Sequence, residues 1–219
     1  GMTPFASLEE HQIKIADRWL SWGWSDQKRP QIVPIGILKT FKQHIKYNPT
    51  GYGLMVEVSG PRYSRYLNST PQSSQWIQYF KDQHLFIKCL PDDLKKMVLV
   101  RFFMHDYGWD QVDRLRDEAL GVEFDERHGN IRSLINGSRL YISTYNATTY
   151  LESMTWNVPT IIFWCPEYWE LNEEAKSYFN LLKSVGIFHE TPESAAHMII
   201  DIWDDVDGWW LSEKVQKAR

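Results

Sequence analysis

The chain has 219 residues, 43% of them hydrophobic, and a formal net charge of −4 at pH 7. This apolar content is enough for a packed core and excludes a disordered chain, while the negative charge disfavours a general nucleic-acid binder. The length suits one domain with an appendage. Because no apolar run of about 18 residues is present, we expect no membrane span.

The N-terminal 30 residues differ in pattern from the rest of the chain. Apolar residues at helical spacing predict a helix over residues 5–24, and a polar linker follows up to Pro30. We therefore expect residues 1–30 to form a helical appendage and residues 31–219 to form the main domain.

Strand-like and helical segments alternate after this appendage. Apolar runs predict strands at residues 35–38, 53–58, 97–103, 122–124, 140–143 and 159–164, with an extended piece at residues 187–189. Amphipathic or capped segments predict helices at residues 74–89, 91–94, 111–120, 130–137, 147–155, 173–185 and 191–201, with a helical tail over residues 207–219. The alternation predicts an α/β fold, a Rossmann-like doubly wound parallel sheet flanked by helices, with ligands at the carboxyl ends of its strands.

The segment from Arg139 to Trp164 predicts a strand, a polar turn, a helix and a second strand. Its helix starts among small hydroxylated residues, where backbone N–H groups and the helix dipole favour phosphate. The candidate ligand-binding residues of this turn are Thr144, Asn146, Thr148 and Thr149. They point to a nucleotide or a phosphorylated sugar. Glu152, one turn into the helix, is either a capping acid or an acceptor for ribose hydroxyls.

A diphosphate also attracts one or two cations, for which Arg62 and Arg101 are candidates. Arg101 stands within an apolar strand pattern, so we expect it to reach either a ligand anion or a buried acid. His105 and Asp106 are weak candidates for a catalytic base pair, and Asp106 is alternatively a helix cap. Glu167 is either a solvated loop acid or an acceptor for sugar hydroxyls.

No cofactor or metal is expected. The fingerprints of dinucleotide-dependent dehydrogenases, P-loop NTPases, serine hydrolases and zinc peptidases are all absent from the sequence. Cys89 and Cys165 are far apart in the sequence and lie in apolar surroundings, which predicts buried free thiols and a cytoplasmic location.

Several stretches resemble known families. The sequence TYNATTYLESM at residues 144–154, followed by WNVPTI at residues 156–161, resembles the C-terminal, nucleotide-sugar-binding half of GT-B glycosyltransferases. FWCPEYWEL at residues 163–171, YF at residues 178–179 and GIFH at residues 186–189 resemble a narrower family, the transferases of bacterial surface-carbohydrate biosynthesis. Arg101 and the loop DYGW at residues 106–109 are similar to that family as well. The resemblance covers residues 31–219.

This resemblance implies sugar transfer from a nucleotide-sugar donor to a glycan acceptor, without a metal. It implies that Thr148 and Thr149 face the donor phosphates, that Arg101 faces the diphosphate, and that Glu152 faces the ribose. GT-B enzymes have two such domains, so we expect a missing N-terminal domain as partner and a fragment that is inactive alone. A nucleotide-sugar epimerase of GT-B architecture and a non-catalytic Rossmann-like binding module are the two alternatives.

Overall fold

The computed structural model describes residue 3 and residues 7–64, 69–118, 120–125 and 129–219. Within this part of the chain the strands are β1 (Trp19–Ser21), β2 (Ile32–Pro34), β3 (Tyr52–Val56), β4 (Val98–Arg101), β5 (Glu123–Phe124), β6 (Ser138–Ser143), β7 (Thr160–Phe163) and β8 (Phe188–His189). The α-helices are α1 (Ser7–Ile15), α2 (Gln75–Cys89), α3 (Asp92–Lys95), α4 (Gln111–Asp117), α5 (Ile131–Gly137), α6 (Thr148–Thr155), α7 (Glu173–Ser184), α8 (Pro192–Ile202), α9 (Val206–Trp210) and α10 (Glu213–Ala218). Two 3₁₀ helices cover Leu38–Thr40 and Trp203–Asp205.

The main sheet has six parallel strands in the order β5-β4-β3-β6-β7-β8. The first strand of the sheet in the chain, β3, and the fourth, β6, are neighbours at its centre. From β3 the chain adds strands in one direction, and from β6 it adds strands in the other. This is the strand order of a Rossmann-like doubly wound sheet, and it confirms the predicted fold class.

The side chains of the central strands alternate between two hydrophobic clusters, as the two-residue period of a strand requires. Leu54 of β3, Tyr141 of β6 and Ile162 of β7 belong to one cluster, which α6 and α7 cover. Their chain neighbours Met55, Ile142 and Ile161 belong to the other cluster, which α2, α4 and α8 cover. Burial on both faces explains why these strands read as continuous apolar runs rather than as alternating ones.

The N-terminal prediction was wrong in one respect. The helix ends at Ile15, and β1 follows within the stretch predicted as helix; residues 5 and 6 of that prediction lie outside the described residues. Strand β1 pairs in parallel with β2, and Trp19 stands opposite Ile32. The pairing joins residues on either side of the predicted boundary at Pro30.

The prediction of a strand at residues 35–38 was wrong, because β2 ends at Pro34 and a 3₁₀ helix begins at Leu38. After residue 50, each predicted strand and helix is present, with ends moved by a few residues. The predicted helix at residues 111–120 ends at Asp117, and residue 119 lies outside the described residues. Cys89 and Cys165 are free thiols, but both are only partly buried, so the prediction of buried thiols was wrong. In the described ranges, no helix combines the length and apolarity needed to cross a membrane.

Candidate functional site

A cavity of about 270 Å³ opens at the carboxyl ends of β3 and β6. These two strands are the point where the strand order reverses, and a doubly wound sheet leaves a crevice there because the adjoining loops leave in opposite directions. One wall consists of residues 58–61, which follow β3, and the facing wall consists of residues 145–147, which follow β6. The cavity therefore lies where the sequence predicted a ligand.

A chain of hydrogen bonds holds the base of this cavity together. The Tyr79 hydroxyl on α2 accepts from the backbone N–H of Val58 at 2.9 Å and lies 2.7 Å from Oγ1 of Thr144. That Oγ1 donates in turn to the carbonyl oxygen of Val56 at 2.9 Å. Thr144 is fully buried and both partners of its hydroxyl are protein groups. In this structure the predicted ligand residue Thr144 joins the ends of β3 and β6.

Aromatic rings form the apolar part of the cavity lining. Trp76, Tyr145 and Trp169 all line it, and all three are buried in the core. The rings of Trp76 and Trp169 meet edge to face, with centroids 6.3 Å apart and planes at 88°. Flat hydrophobic walls of this kind suit a nucleobase or the apolar face of a sugar ring.

The first turn of α6 borders the same cavity. Its N-cap residue is Ala147, which lines the cavity and has no side chain that could cap the helix. Asn146, beside it, accepts from the Tyr150 hydroxyl through Oδ1, whereas its Nδ2 is buried with no hydrogen-bond partner in the described part of the chain. Thr148 is exposed, and Thr149 bonds to Tyr145. The start of α6 therefore has no side-chain cap, which leaves its first backbone N–H groups as donors for an anion.

Glu152 lies away from the cavity. It is 3% exposed, and its Oε1 lies 2.7 Å from Nζ of Lys39 on the 3₁₀ helix Leu38–Thr40. It does not cap α6: the N-cap residue is Ala147, so the capping-box position is Tyr150, and Glu152 lies two residues beyond it. The capping alternative was therefore wrong. In this structure the carboxylate joins α6 to the 3₁₀ helix Leu38–Thr40.

Arg101 reaches a buried acid, the second of its two predicted partners. Its Nη1 lies 2.9 Å from Oδ2 of Asp125 and 2.6 Å from the carbonyl oxygen of Gly129. Asp125 follows β5, the edge strand next to β4. The guanidinium thus joins the ends of two strands on the β4 side of the sheet.

Asp106 is a helix cap rather than half of a His–Asp pair. Its two carboxylate oxygens accept from the backbone N–H groups of Asp110 and Gln111, each at 2.9 Å. Burial raises the pKa of Asp106, but these and neighbouring backbone hydrogen bonds outweigh it, and the net shift is downwards. His105 is exposed and packs edge-on towards Phe103.

The two remaining candidates are surface residues. Arg62 is exposed, one residue after cavity-lining Pro61, and its guanidinium carbon lies 4.8 Å from the ring centroid of Trp109. Glu167 is exposed in the loop after β7, two residues before cavity-lining Trp169. Both are close in sequence to the cavity walls, but neither side chain lines the cavity.

One buried acid beside the cavity was missed. Glu57 follows β3 directly, is 2% exposed, and accepts from Nε2 of Gln111 at 2.6 Å through Oε2. Burial raises its pKa from 4.5 to about 8, although the Gln111 hydrogen bond acts in the opposite direction. Its signal was an acid inside the apolar run GLMVEV, the same kind of signal that singled out Arg101.

The comparison with protein families covers the whole chain, because residues 1–219 match the model described as "LIC12162 family transferase". The chain belongs to the LIC12162 family of transferases. No curated protein matches it. A solved variant of the wall teichoic acid polymerase TagF is similar to it at 12% identity and a TM-score of 0.45. That match covers 100% of this chain and 58% of the TagF chain, so the chain spans less than two thirds of TagF.

In this LIC12162 family transferase the candidate residues fall into two groups. Asn146, Thr148 and Thr149 lie at or beside the cavity, where backbone donors and aromatic walls meet. Arg101 and Glu152 are bound to other protein groups outside the cavity lining. In the described residues no cluster of three or more His, Cys, Asp or Glu could hold a metal ion. The candidate anion-binding groups of this site are the backbone N–H groups at the uncapped start of α6.

Proposed function

We propose that the chain is the donor-binding domain of a glycosyltransferase that acts in bacterial surface-polysaccharide biosynthesis in the cytoplasm. The observation that supports this most is the switch-point cavity, which combines aromatic walls with an uncapped helix start. Membership in a transferase family supports group transfer. The resemblance of the sequence to GT-B glycosyltransferases supports a sugar as the transferred group.

In this proposal the nucleotide sugar lies across the ends of β3 and β6. Its diphosphate sits at the start of α6, beside Thr148 and Thr149, and a flat ring packs against Trp76 and Trp169. When the sugar leaves, negative charge develops on the diphosphate, and the helix start stabilises it without a metal. The glycan acceptor and the catalytic base come from a second, N-terminal GT-B domain.

The experiment is a thermal-shift titration of the chain with ADP, CDP, GDP, UDP and their common sugar conjugates. At a ligand concentration of about 100 Kd, binding stabilises the fold by about 2.7 kcal/mol. For a chain of this length we expect a rise in Tm of about 5 to 10 °C.

The variant Thr148→Glu tests where the ligand binds. An acid in the first turn favours the helix but repels a phosphate seated there, so we expect an intact fold and a lost ligand shift. Gln12→Glu, at an exposed position of α1 outside the cavity lining, adds the same charge and serves as the matched control. A shift that survives in Thr148→Glu places the nucleotide elsewhere.

The outcomes also separate the alternatives. Stabilisation by nucleotide sugars, lost in Thr148→Glu, supports a donor site. Conversion of a nucleotide sugar by the chain alone, without an acceptor, supports the epimerase alternative. No response to any nucleotide rejects the proposed donor site and leaves the non-catalytic binding module.

A further inference from the structure

Glu57 occupies an unusual position at the switch point. It is the first residue after β3, and its backbone N–H still donates to the carbonyl oxygen of Arg101 at 2.9 Å. The carboxyl group therefore lies inside the protein at the base of the cavity wall. Its Oε2 has one partner, Gln111, and its Oε1 is buried with no hydrogen-bond partner among the residues that the structure describes. Such a group calls for an explanation, because buried polar atoms are nearly always bonded.

Gln111 links this carboxyl to the cavity wall. The same Nε2 that donates to Glu57 also approaches the carbonyl oxygen of Val58, at 3.3 Å. Val58 is the first residue of the wall at residues 58–61. Gln111 thus connects α4 both to the buried carboxyl of Glu57 and to the first residue of the wall.

Two further hydrogen bonds join the same wall to the loop before α4. Ser59 Oγ donates to the carbonyl oxygen of Asp106 at 3.0 Å, and Nε1 of Trp109 donates to the carbonyl oxygen of Gly60 at 2.8 Å. The segment at residues 104–111, which consists of the loop before α4 and the first residue of that helix, therefore contacts three consecutive wall residues. A disturbance at Gln111 would reach the cavity through a short, bonded path.

The environment of Glu57 favours the neutral acid. The ionisable groups on the surrounding elements are Tyr79 on α2, Arg101 on β4 with Asp125 beside it, and Asp106 before α4. Arg101 is bound to Asp125, and in the described chain no cation forms an ion pair with Glu57. Burial raises the pKa of Tyr79, and the neighbouring Glu57 charge raises it further. Tyr79 therefore offers no positive charge that would favour an ionised Glu57. An ionised Glu57 would need donors or water that this packing does not supply.

We propose that Glu57 is a positioning residue of the switch-point cavity: its neutral carboxyl packs against Gln111 beneath the wall at residues 58–60, and its ionisation loosens that wall. The carboxylate would strengthen the hydrogen bond from Gln111, but the charge on buried Oε1, which has no hydrogen-bond partner among the described residues, would draw water in beneath the wall. The effect on ligand binding rests on the proposed function, whereas the effect on the wall does not. Ligand affinity then falls at alkaline pH because Glu57 ionises.

The test is hydrogen–deuterium exchange of the full chain at pH 6.5 and 9.0, followed in peptides that cover residues 58–61 and 104–111. Wild type and Glu57→Gln are compared at the same pH, which removes the intrinsic pH dependence of exchange. At pH 9.0 the ionised form of a carboxyl with a pKa of about 8 exceeds the neutral form by about ten to one. We expect both loops of the wild type to exchange several-fold faster than those of Glu57→Gln at pH 9.0, and equally fast at pH 6.5.

Asp82→Asn is the matched control. Burial also raises the pKa of Asp82, but its carboxylate on α2 bonds to Gln78 and to neither loop. We expect this variant to retain the wild-type difference between pH 6.5 and 9.0. Equal exchange in wild type and Glu57→Gln at pH 9.0 overturns the proposal, and so does loss of the pH difference in Asp82→Asn.

A second variant covers the case in which Glu57→Gln does not fold. Gln111→Ala removes the link itself, so we expect fast exchange of both loops at pH 6.5 as well as at 9.0. Slow exchange in this variant at pH 6.5 refutes the role of Gln111.

Ligand affinity is the last readout. For the nucleoside diphosphate of the thermal-shift panel that binds best, we expect Kd to rise several-fold from pH 6.5 to 9.0 in wild type and to stay constant in Glu57→Gln. If no nucleoside diphosphate binds at either pH, the proposed function fails, while the exchange result still decides whether Glu57 positions the wall. If Kd responds equally in both proteins, the wall does not govern binding.

Discussion

Replacing Glu57 by glutamine should stabilise the fold at neutral pH. The carboxyl has its ordinary pKa of 4.5 in the unfolded chain and a pKa of about 8 in the folded one. Between these values the unfolded state loses the proton and the folded state keeps it, so the free energy of unfolding falls as pH rises. Below about pH 4.5 both states are protonated, and above about pH 8 both are ionised, so the slope is confined to that window.

The magnitude follows from the linkage relation. Each pH unit within the window changes the free energy of unfolding by about 1.4 kcal/mol. At pH 7 the wild type has therefore lost about 3 kcal/mol that Glu57→Gln retains. Glutamine keeps the acceptor for Gln111 and leaves a buried NH₂ group unpaired where the neutral acid leaves its O–H unpaired, so these costs largely cancel.

Urea denaturation followed by circular dichroism at pH 4.5, 6, 7 and 8 measures this difference. We expect the stability gain of Glu57→Gln to be below about 0.5 kcal/mol at pH 4.5 and to grow to about 3 kcal/mol at pH 7. Asp201→Asn, which removes one exposed carboxylate from α8, corrects for the change in net charge. A gain that does not change with pH would refute the assignment of Glu57 as a neutral acid.

Three further predictions concern the cavity and its supports. Gly60→Ala should destabilise the fold by about 1–3 kcal/mol and abolish nucleotide shifts, because its Cβ would lie 2.3 Å from the ring of buried Trp76; an unchanged urea midpoint would contradict the close approach. Thr144→Val keeps the shape of the side chain but removes the hydroxyl that joins β3 to β6, and should cost about 2 kcal/mol in the same assay. Lys39→Ala leaves buried Glu152 without its cation and should cost about 1 kcal/mol, a modest figure because Lys39 is exposed. Adding Glu152→Gln should recover that loss, and failure to recover it would mean that Lys39 acts by packing alone.

The main sheet was predictable because its signals are local. Strands buried on both faces are short apolar runs, and Thr191 followed by Pro192 and Glu193 marks a helix start within three residues. The separate two-stranded sheet of β1 and β2 was not predicted. Trp19 and Leu20 fit the spacing of the preceding helix, and only pairing with β2, more than ten residues later, makes them a strand. Local periodicity contains no information about such a partner.

The place of the cavity was predictable for a similar reason, whereas the contacts of the candidate residues were not. A parallel alternation of strands and helices puts loops such as 144–149 at the carboxyl edge of the sheet. Which atom each side chain meets depends on residues far away in sequence. The sequence left two partners for Arg101, a ligand anion or a buried acid, and only the folded structure shows Asp125 beside it. Glu152 could not be assigned without Lys39, which lies 113 residues before it.

By itself the sequence determined the doubly wound α/β sheet, the helix start at the polar turn and the absence of the common nucleotide and metal fingerprints, because each of these depends on neighbouring residues. The tertiary structure alone decided that Thr144 joins β3 to β6, that Arg101 and Glu152 are bound within the protein, and that Glu57 lies buried beneath the cavity wall. The physical reason is that the state of a buried polar group depends on its nearest atoms in space, and only the folded chain brings those atoms together.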